Sequence, residues 1–312
     1  MDLSRANLQN FFKGISVAFH EALLGGTPVW QNLGLVERYD ASGVDIVELG
    51  WLALVPGLTK FLGTAQIQNI AFNKFSFQTE PYESTIGVKR RDIELDKLGM
   101  YSRLAASHGN ACNLSVDNLV TQGLFAGFST LKAYTGNAMF STTHRTLPGT
   151  PTWSNLVTYK FSAGSFDYVR KILRGRVSVG VGPDGKGLNM KLGRKLVLLV
   201  GPKNETAAKT LVTAEKQAGG ADNPYKGAAR VEVMNEIGAY NEDAWFLYEE
   251  GVQAKPLVLA ESRPMTPAWL TDINDSHVML KQEFLWQIIY DAIVVPGLPE
   301  LIVASDGSAA AL

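Results

Sequence analysis

The sequence predicts an α+β fold. Helical and strand-like stretches follow one another without a sustained strand–helix–strand rhythm, and no internal repeat is present. Hydrophobic residues make up 46% of the 312 positions, enough to bury a sizeable core. Charged residues are 19%, which leaves room for large contacts with other chains, since such contacts are depleted in charge at their centres. With 29 basic and 30 acidic residues the net charge is −1. That balance argues against a dedicated nucleic-acid binder, which draws its affinity from a basic excess. The single cysteine, Cys112, excludes an intrachain disulfide and a Cys-x-x-Cys metal site, and fits a reducing compartment. The first residues are interrupted by Asn10, Lys13, His20 and Glu21, so no secretory leader is expected. No run of about 20 apolar residues predicts a membrane span.

Taken in order, Ser4 can cap a helix running to about Leu24, with Leu8, Phe11, Phe12, Ile15, Phe19 and Leu23 on one stripe. The stripe by itself favours packing on the chain's own core, and an arm docked on a neighbouring subunit is the alternative. Residues 45–63 are apolar and broken by Pro56 and Gly57, which reads as a short strand and a short helix. Residues 74–99, "KFSFQTEPYESTIGVKRRDIELDKLG", raise a different question. Ala71–Glu80 and Tyr82–Leu95 both have strand composition, with Pro81 between them. Phe75 and Phe77 share a face, as do Tyr82, Ser84, Ile86 and Val88. Lys74, Glu80, Glu83, Lys89, Arg90, Arg91, Asp92, Glu94, Asp96 and Lys97 supply five charges of each sign. A lone two-stranded ribbon is marginal in water. This one needs a partner surface, and its charges suit ion pairs along that seam.

From Leu98 to about Phe128 the pattern is a long helix with a break or bend near "NLSVDN". A short helix over 165–175 has Ser165 as N-cap and Gly175 as stop. Residues 195–200 read as a buried strand and 204–218 as a helix. Strands follow at 229–234, 244–249 and 256–260, and the closing "HVMLKQEFLWQIIYDAIVVPG" and "LPELIVAS" are mainly strand-like.

The candidate chemistry is thin. Residues 180–187, "GVGPDGKG", place Gly180, Gly185 and Lys186 at phosphate-loop spacing, but Gly187 stands where the magnesium-binding hydroxyl belongs. A strand-like run follows instead of a helix, so a hairpin is expected. His144 in "NAMFSTTHRTLPGTP" reads as a loop residue, because no base, nucleophile and acid converge in pattern around it. His20, His108, His144 and His277 lack metal-ligand spacing. Glu94 and Asp96 are flanked by Arg90, Arg91 and Lys97 and read as ion-pair members. Cys112 reads as a small core residue. No catalytic, cofactor-binding or metal residue is predicted.

Four stretches in consistent order resemble the Mu-like prophage major head subunit family, the gpT type. They are "FNKFSFQTEPYESTIGVKRRDIELDKLGMY" (72–101), "AYTGNAMFSTTHRT" (133–146), "KLVLLVGPKNETAAKTLV" (195–212) and "AWFLYEEGVQAKPLVLAESRP" (244–264). The chain departs from the family at Leu95-Asp96-Lys97, which loses an acidic position, and at Ser141, Thr142 and Thr143, where acids are usual.

The resemblance implies the tailed-phage major capsid fold of the Hong Kong phage type. Its parts would be an N-terminal arm (1–50), an E-loop (66–96), a peripheral domain with a spine helix (51–65, 97–132 and 244–290) and an axial domain (133–243 and 291–312). It implies a non-enzymatic shell subunit forming hexamers and pentamers around packaged DNA, which is contacted non-specifically. No cofactor and no membrane are implied. The shell would reside in the virion and assemble in the host cytoplasm, with scaffolding, portal and decoration proteins as further partners. The implied intersubunit contacts are Phe75, Phe77, Glu80, Glu83, Lys89, Arg90, Arg91, Asp92 and Glu94 of the E-loop, and Phe11, Phe12 and Phe19 of the arm.

Overall fold

The computed structural model describes residues 5–26, 28–44, 46–52, 72–95, 99–145, 152–181, 187–189, 192–216, 220–252, 254–270, 272 and 274–312. The first half comprises α1 (Arg5–Gly25), α2 (Val29–Asn32), β1 (Val36–Asp40), β2 (Ile46–Leu52), β3 (Phe72–Gln78), β4 (Glu80–Lys89), α3 (Arg90–Leu95) and α4 (Met100–Ala126). The middle holds β5 (Leu156–Tyr159), α5 (Ala163–Arg174), β6 (Val177–Val181), β7 (Gly187–Asn189), β8 (Leu196–Val200) and α6 (Pro202–Thr213). The chain closes with β9 (Arg230–Val233), α7 (Ile237–Tyr240), β10 (Trp245–Glu249), β11 (Leu257–Leu270), α8 (Ser276–Lys281), β12 (Glu283–Pro296) and β13 (Ile302–Ala309).

One sheet has the order β1-β11-β12-β4. From Glu283 to Val294, β12 alternates between buried and half-buried residues, as a strand with one covered face does. The covered face meets α1 and α4. Phe12, Ile15 and Phe19 of α1 and Val88 of β4 pack with Phe284, Trp286 and Ile288 of β12. α4 crosses α1 closely at Gly109, where an added Cβ would sit 2.5 Å from the Phe19 carbonyl oxygen. α1 is therefore a helix on its own core, and the rings of Phe12 and Phe19 are fully covered within the chain. Phe11 is half-buried in the same cluster, against Phe12 and Tyr101. These three rings were expected to meet a neighbour, and the chain itself takes them up.

No break interrupts α4; the helix is continuous through residues 113–118. Asn113 and Asp117 lie one turn apart and both turn inward. The Asp117 carboxylate accepts the backbone N–H of Val29 (3.2 Å) and Trp30 (2.8 Å), the open donors at the start of α2. Polar residues here brace a neighbouring helix and leave their own intact. Cys112 is buried, and desolvation raises its thiol pKa, as suits a core residue.

The second sheet has the order β5-β13-β10-β8-β9. Every residue of β8 and of β10 is buried. β10, expected with the peripheral strands, lies at the centre of this sheet, because its apolar run on both faces suits a strand covered on both sides. β12 continues in the first sheet to Pro296, past the boundary expected at 290. β1 is bound by its ladder to β11 and is not part of a free arm. α5 is capped by Ser162, with Ser165 at N3 completing a reciprocal pair, so the cap lies three residues before the one expected. β6 and β7 pair antiparallel, giving the hairpin expected around 180–187.

Buried polar groups hold together the residues that lead from α4 to β5 (127–145 and 152–155) and those that lead from β12 to β13 (297–301). His144 Nε2 lies 3.1 Å from the Met139 carbonyl and 3.0 Å from Asn155 Oδ1, both acceptors, so this nitrogen carries the proton. Its Nδ1 accepts from the Thr135 hydroxyl at 2.7 Å. The ring stacks on Trp153, and the Arg176 guanidinium lies 4.4 Å from the Trp153 ring centroid. Burial lowers the His144 pKa, consistent with a neutral structural histidine. Asn155 Nδ2 donates to the Met139 and Pro299 carbonyls and so clasps the two connections. Beside it, Tyr134 donates to Glu300 Oε1, while Glu300 Oε2 has no hydrogen-bond partner.

Burial raises the Glu300 pKa, with Tyr134 and Arg176 opposing the rise. A carboxyl with a raised folded pKa contributes stability that is complete below its unfolded value of about 4.5 and is lost as pH rises through the folded value. Glu300→Gln keeps the acceptor for Tyr134 and removes the ionisation. Its stability should match the parent near pH 4 and exceed it at pH 8, read by denaturant titration at each pH. Equal pH slopes for the two proteins would rule this out.

Candidate intersubunit surface

The expected ribbon does not pair with itself. β3 pairs antiparallel with β2, from Ile46↔Gln78 to Leu52↔Phe72. β4 pairs with β12, from Glu80↔Ala292 to Lys89↔Glu283. The break falls at Thr79, where the chain leaves one sheet for the other and Pro81 follows. The two-stranded element is thus β2–β3, about one strand earlier than expected. The charge-dense stretch after Lys89 is the short helix α3, not strand.

Among the described residues, β2 and β3 form a sheet of two strands. Seven residue pairs give the ladder a reach of about 20 Å. Its root is pinned on the open face of the four-stranded sheet. Phe77 packs against a small cluster of Ala41, Val258, Ala260 and Val295, with Ile293 beside it. Ser262 donates to Thr79 Oγ1 at 3.2 Å. A two-stranded ribbon is marginally stable by itself in water, which suits an element completed by another surface.

The residues expected as contacts separate accordingly. Phe77 is half-buried and serves as the anchor of the root. Phe75 on β3 is paired along the backbone ladder with Leu49. Glu80 accepts from Tyr82 Oη at 3.0 Å, and Glu83 accepts from Gln287. Burial, with Glu80 beside it, pushes the Tyr82 phenol to about 12. Lys89, Arg91 and Asp92 are exposed at the end of β4 and on α3, with half-buried Arg90 among them, and Glu94 lies on α3. On β4, Tyr82, Ser84, Ile86 and Val88 share the inward face as expected, and Ser84 Oγ and His108 Nε2 share a hydrogen bond of 2.7 Å.

Several structural side chains escaped the sequence reading. Glu249 accepts the N–H groups of Gly193 (2.6 Å), Arg194 (3.1 Å) and Lys195 (2.9 Å), fixing the turn into β8. Asp117, Asn155 and Glu300 act in the same way. A single sequence gives no signal that tells such carboxylates and amides from solvated ones. Among the described residues, no group of three His, Cys, Asp or Glu could hold a metal ion. No helix among them is long and apolar enough to cross a membrane.

The family model described as "Mu-like prophage major head subunit gpT" matches residues 8–165, just over half of the chain. The chain belongs to the Mu-like gpT major head subunit family. Among relatives of this family, the Mu-like prophage FluMu major head subunit of Haemophilus influenzae is 25% identical over 238 residues, 76% of this chain and 54% of that protein. The major capsid protein of Escherichia phage Mu is 31% identical over 99 residues, 32% of each chain. The chain thus spans about half, or less, of the length of these relatives in the matched regions. Among solved structures, the procapsid of bacteriophage JBD30 matches with a TM-score of 0.58 at 21% identity, over 97% of this chain and 76% of that one. The mature capsid of bacteriophage PhiM1 matches with a TM-score of 0.54 at 11% identity, over 88% and 85%. The fold of this gpT-family chain is that of tailed-phage capsid subunits, the Hong Kong phage type, in an α+β arrangement.

Proposed function

We propose that this chain is the major subunit of a phage head, with a structural and not a catalytic role. Copies assemble through hexamers and pentamers into a closed icosahedral shell around DNA. The observation that carries the reading is the β2–β3 hairpin: a two-stranded extension, anchored at its root, on a chain of the gpT family. We assign the E-loop role to this hairpin and the residues it encloses. The spine is α4, the peripheral sheet is β1-β11-β12-β4 and the axial sheet is β5-β13-β10-β8-β9.

The near-zero net charge suits a lining that holds DNA without gripping any sequence. Many identical contacts make modest energies per contact sufficient. Further partners on this reading are scaffolding, portal and decoration proteins; the shell assembles in the host cytoplasm and ends in the virion. Expression of the chain, followed by sedimentation and electron microscopy, should give capsomers or closed shells. Tubes would point to a tail subunit, and a monomer under all assembly conditions would refute the proposal.

A further inference from the structure

A second feature of the peripheral unit lies apart from the hairpin. Lys89, Arg90, Arg91, Lys281 and Gln282 line a surface concavity of about 420 Å³. Three elements converge there: the end of β4, the first turn of α3 and the end of α8. Gln282 closes it with a left-handed backbone (φ 53°), which turns the chain from α8 into β12 and lets its carbonyl accept the Arg90 N–H at 2.8 Å. Gln282 is the one non-glycine residue with positive φ among those described, a costly conformation that is kept where the surroundings fix it.

The cations among the described residues divide into matched and unmatched ones. Arg38, Lys160, Lys171, Lys203, Lys209, Lys226, Arg230 and Arg263 each have a carboxylate partner. Lys89, Arg91 and Lys281 are exposed and form no ion pair among the described residues. Next to Lys281, Met279 is 62% and Leu280 84% exposed. Cations alone would suit a phosphate backbone. Cations beside two bare aliphatic side chains suit a protein surface that carries both acids and apolar groups.

A segment of that kind runs from β1 to the start of β2. Glu37 and Asp40 of β1 are exposed there, with Tyr39 (41%), Val44 (49%) and Ile46 (57%) among them. Neither acid pairs with a cation; Asp40 is occupied by Ser42. Other exposed acids, Glu205, Glu215 and Glu242, are already matched within the chain. Glu21, between Val17 and Leu24 on α1, offers a single charge.

The two surfaces cannot meet within one molecule. β1 and β4 are opposite edges of the sheet. Asp40 is level with Glu80, through Glu261 and Ala292, whereas Lys89 is level with Glu283. The offset along the strands is nine residues, about 30 Å. Complementary surfaces on opposite edges generate head-to-tail contacts, not a self-complementary two-fold.

We propose that the acidic, apolar segment Glu37–Ile46 of one copy docks on the basic concavity of Lys89, Arg91 and Lys281 of a second copy, with the two sheets offset along the strand direction. This rests on the shell reading for its setting. The test is charge reversal in the full chain. Lys89→Glu with Arg91→Glu, and separately Glu37→Lys with Asp40→Lys, should each cut particle yield about tenfold or more by like-charge repulsion. The chain carrying all four reversals should recover most of the yield, while circular dichroism shows every variant folded. Double variants that assemble like the parent, or a fourfold variant as poor as the doubles, would overturn the proposal. So would doubles that form normal particles but lose enclosed DNA, which would assign the cations to the polyanion. If the parent forms no particles, the shell reading fails by itself. The docking is then read from salt-sensitive self-association of the soluble chain in sedimentation equilibrium, and its absence there overturns it.

Discussion

Replacing residues 48–76 with a short Gly/Ser turn should give a chain that folds yet closes no shells. β2 and β3 pair with each other, so their removal leaves no unpaired edge in either larger sheet. Phe77 and Thr79 remain to hold the root against Val258, Val295 and Ser262. The two main cores, around Phe246 and Trp245, lie elsewhere. Thermal unfolding should therefore shift by no more than a few degrees, the cost of losing a two-stranded element outside both larger sheets. Assembly should respond in the opposite sense. On the shell reading the hairpin meets another molecule, and a shell multiplies each lost contact by the number of subunits. Gradient sedimentation and electron microscopy would read the outcome. Normal particles from the shortened chain would remove the hairpin from any role in closure, and a collapsed unfolding transition would show that it belongs to the fold after all.

The misplaced ribbon shows where sequence reading reaches its limit. Strand propensity identified residues 72–89 correctly as extended, and the inward alternation of Tyr82, Ser84, Ile86 and Val88 was legible because burial imposes a period of two. The partner of each strand was not. β4 pairs with a strand two hundred residues later, and β3 with β2, the strand that precedes it in the chain. Pairing depends on register and on long-range closure, neither of which is written in local composition. For the same reason the sheet that takes up β10 was not legible: its apolar run announces a buried strand but not which sheet buries it. The charges after Lys89 misled in another way. Alternating signs fit a strand seam or a short helix equally well, and the turn at Gln282 settles the matter from the far end of the chain. Buried carboxylates such as Glu249 and Glu300 carry no local mark at all, since only the fold decides which acid loses its water.

Phe19→Ala should destabilise the protein by about 3–5 kcal/mol, the usual cost of removing a fully buried aromatic side chain. Phe19 lies where α1, α4 and β12 meet, against His108 and edge-on to Trp286. Gly109 lets the helices approach at this level, so the cavity left by the ring cannot close by a simple slide of α1. The loss should be independent of protein concentration, because every partner of the ring belongs to the same chain. It should also appear as faster hydrogen exchange across residues 5–25. Leu24→Ala probes the other side of the same helix. Leu24 is 81% exposed, so its truncation should change stability by no more than about 0.5 kcal/mol. If α1 also serves as an arm toward a neighbour, Leu24 and the exposed Val17 are the surface it has left to offer, and their truncation would lower particle yield at unchanged stability. A Phe19→Ala protein whose loss vanishes at high concentration would instead place the ring in a contact between copies and return α1 to the role of a free arm.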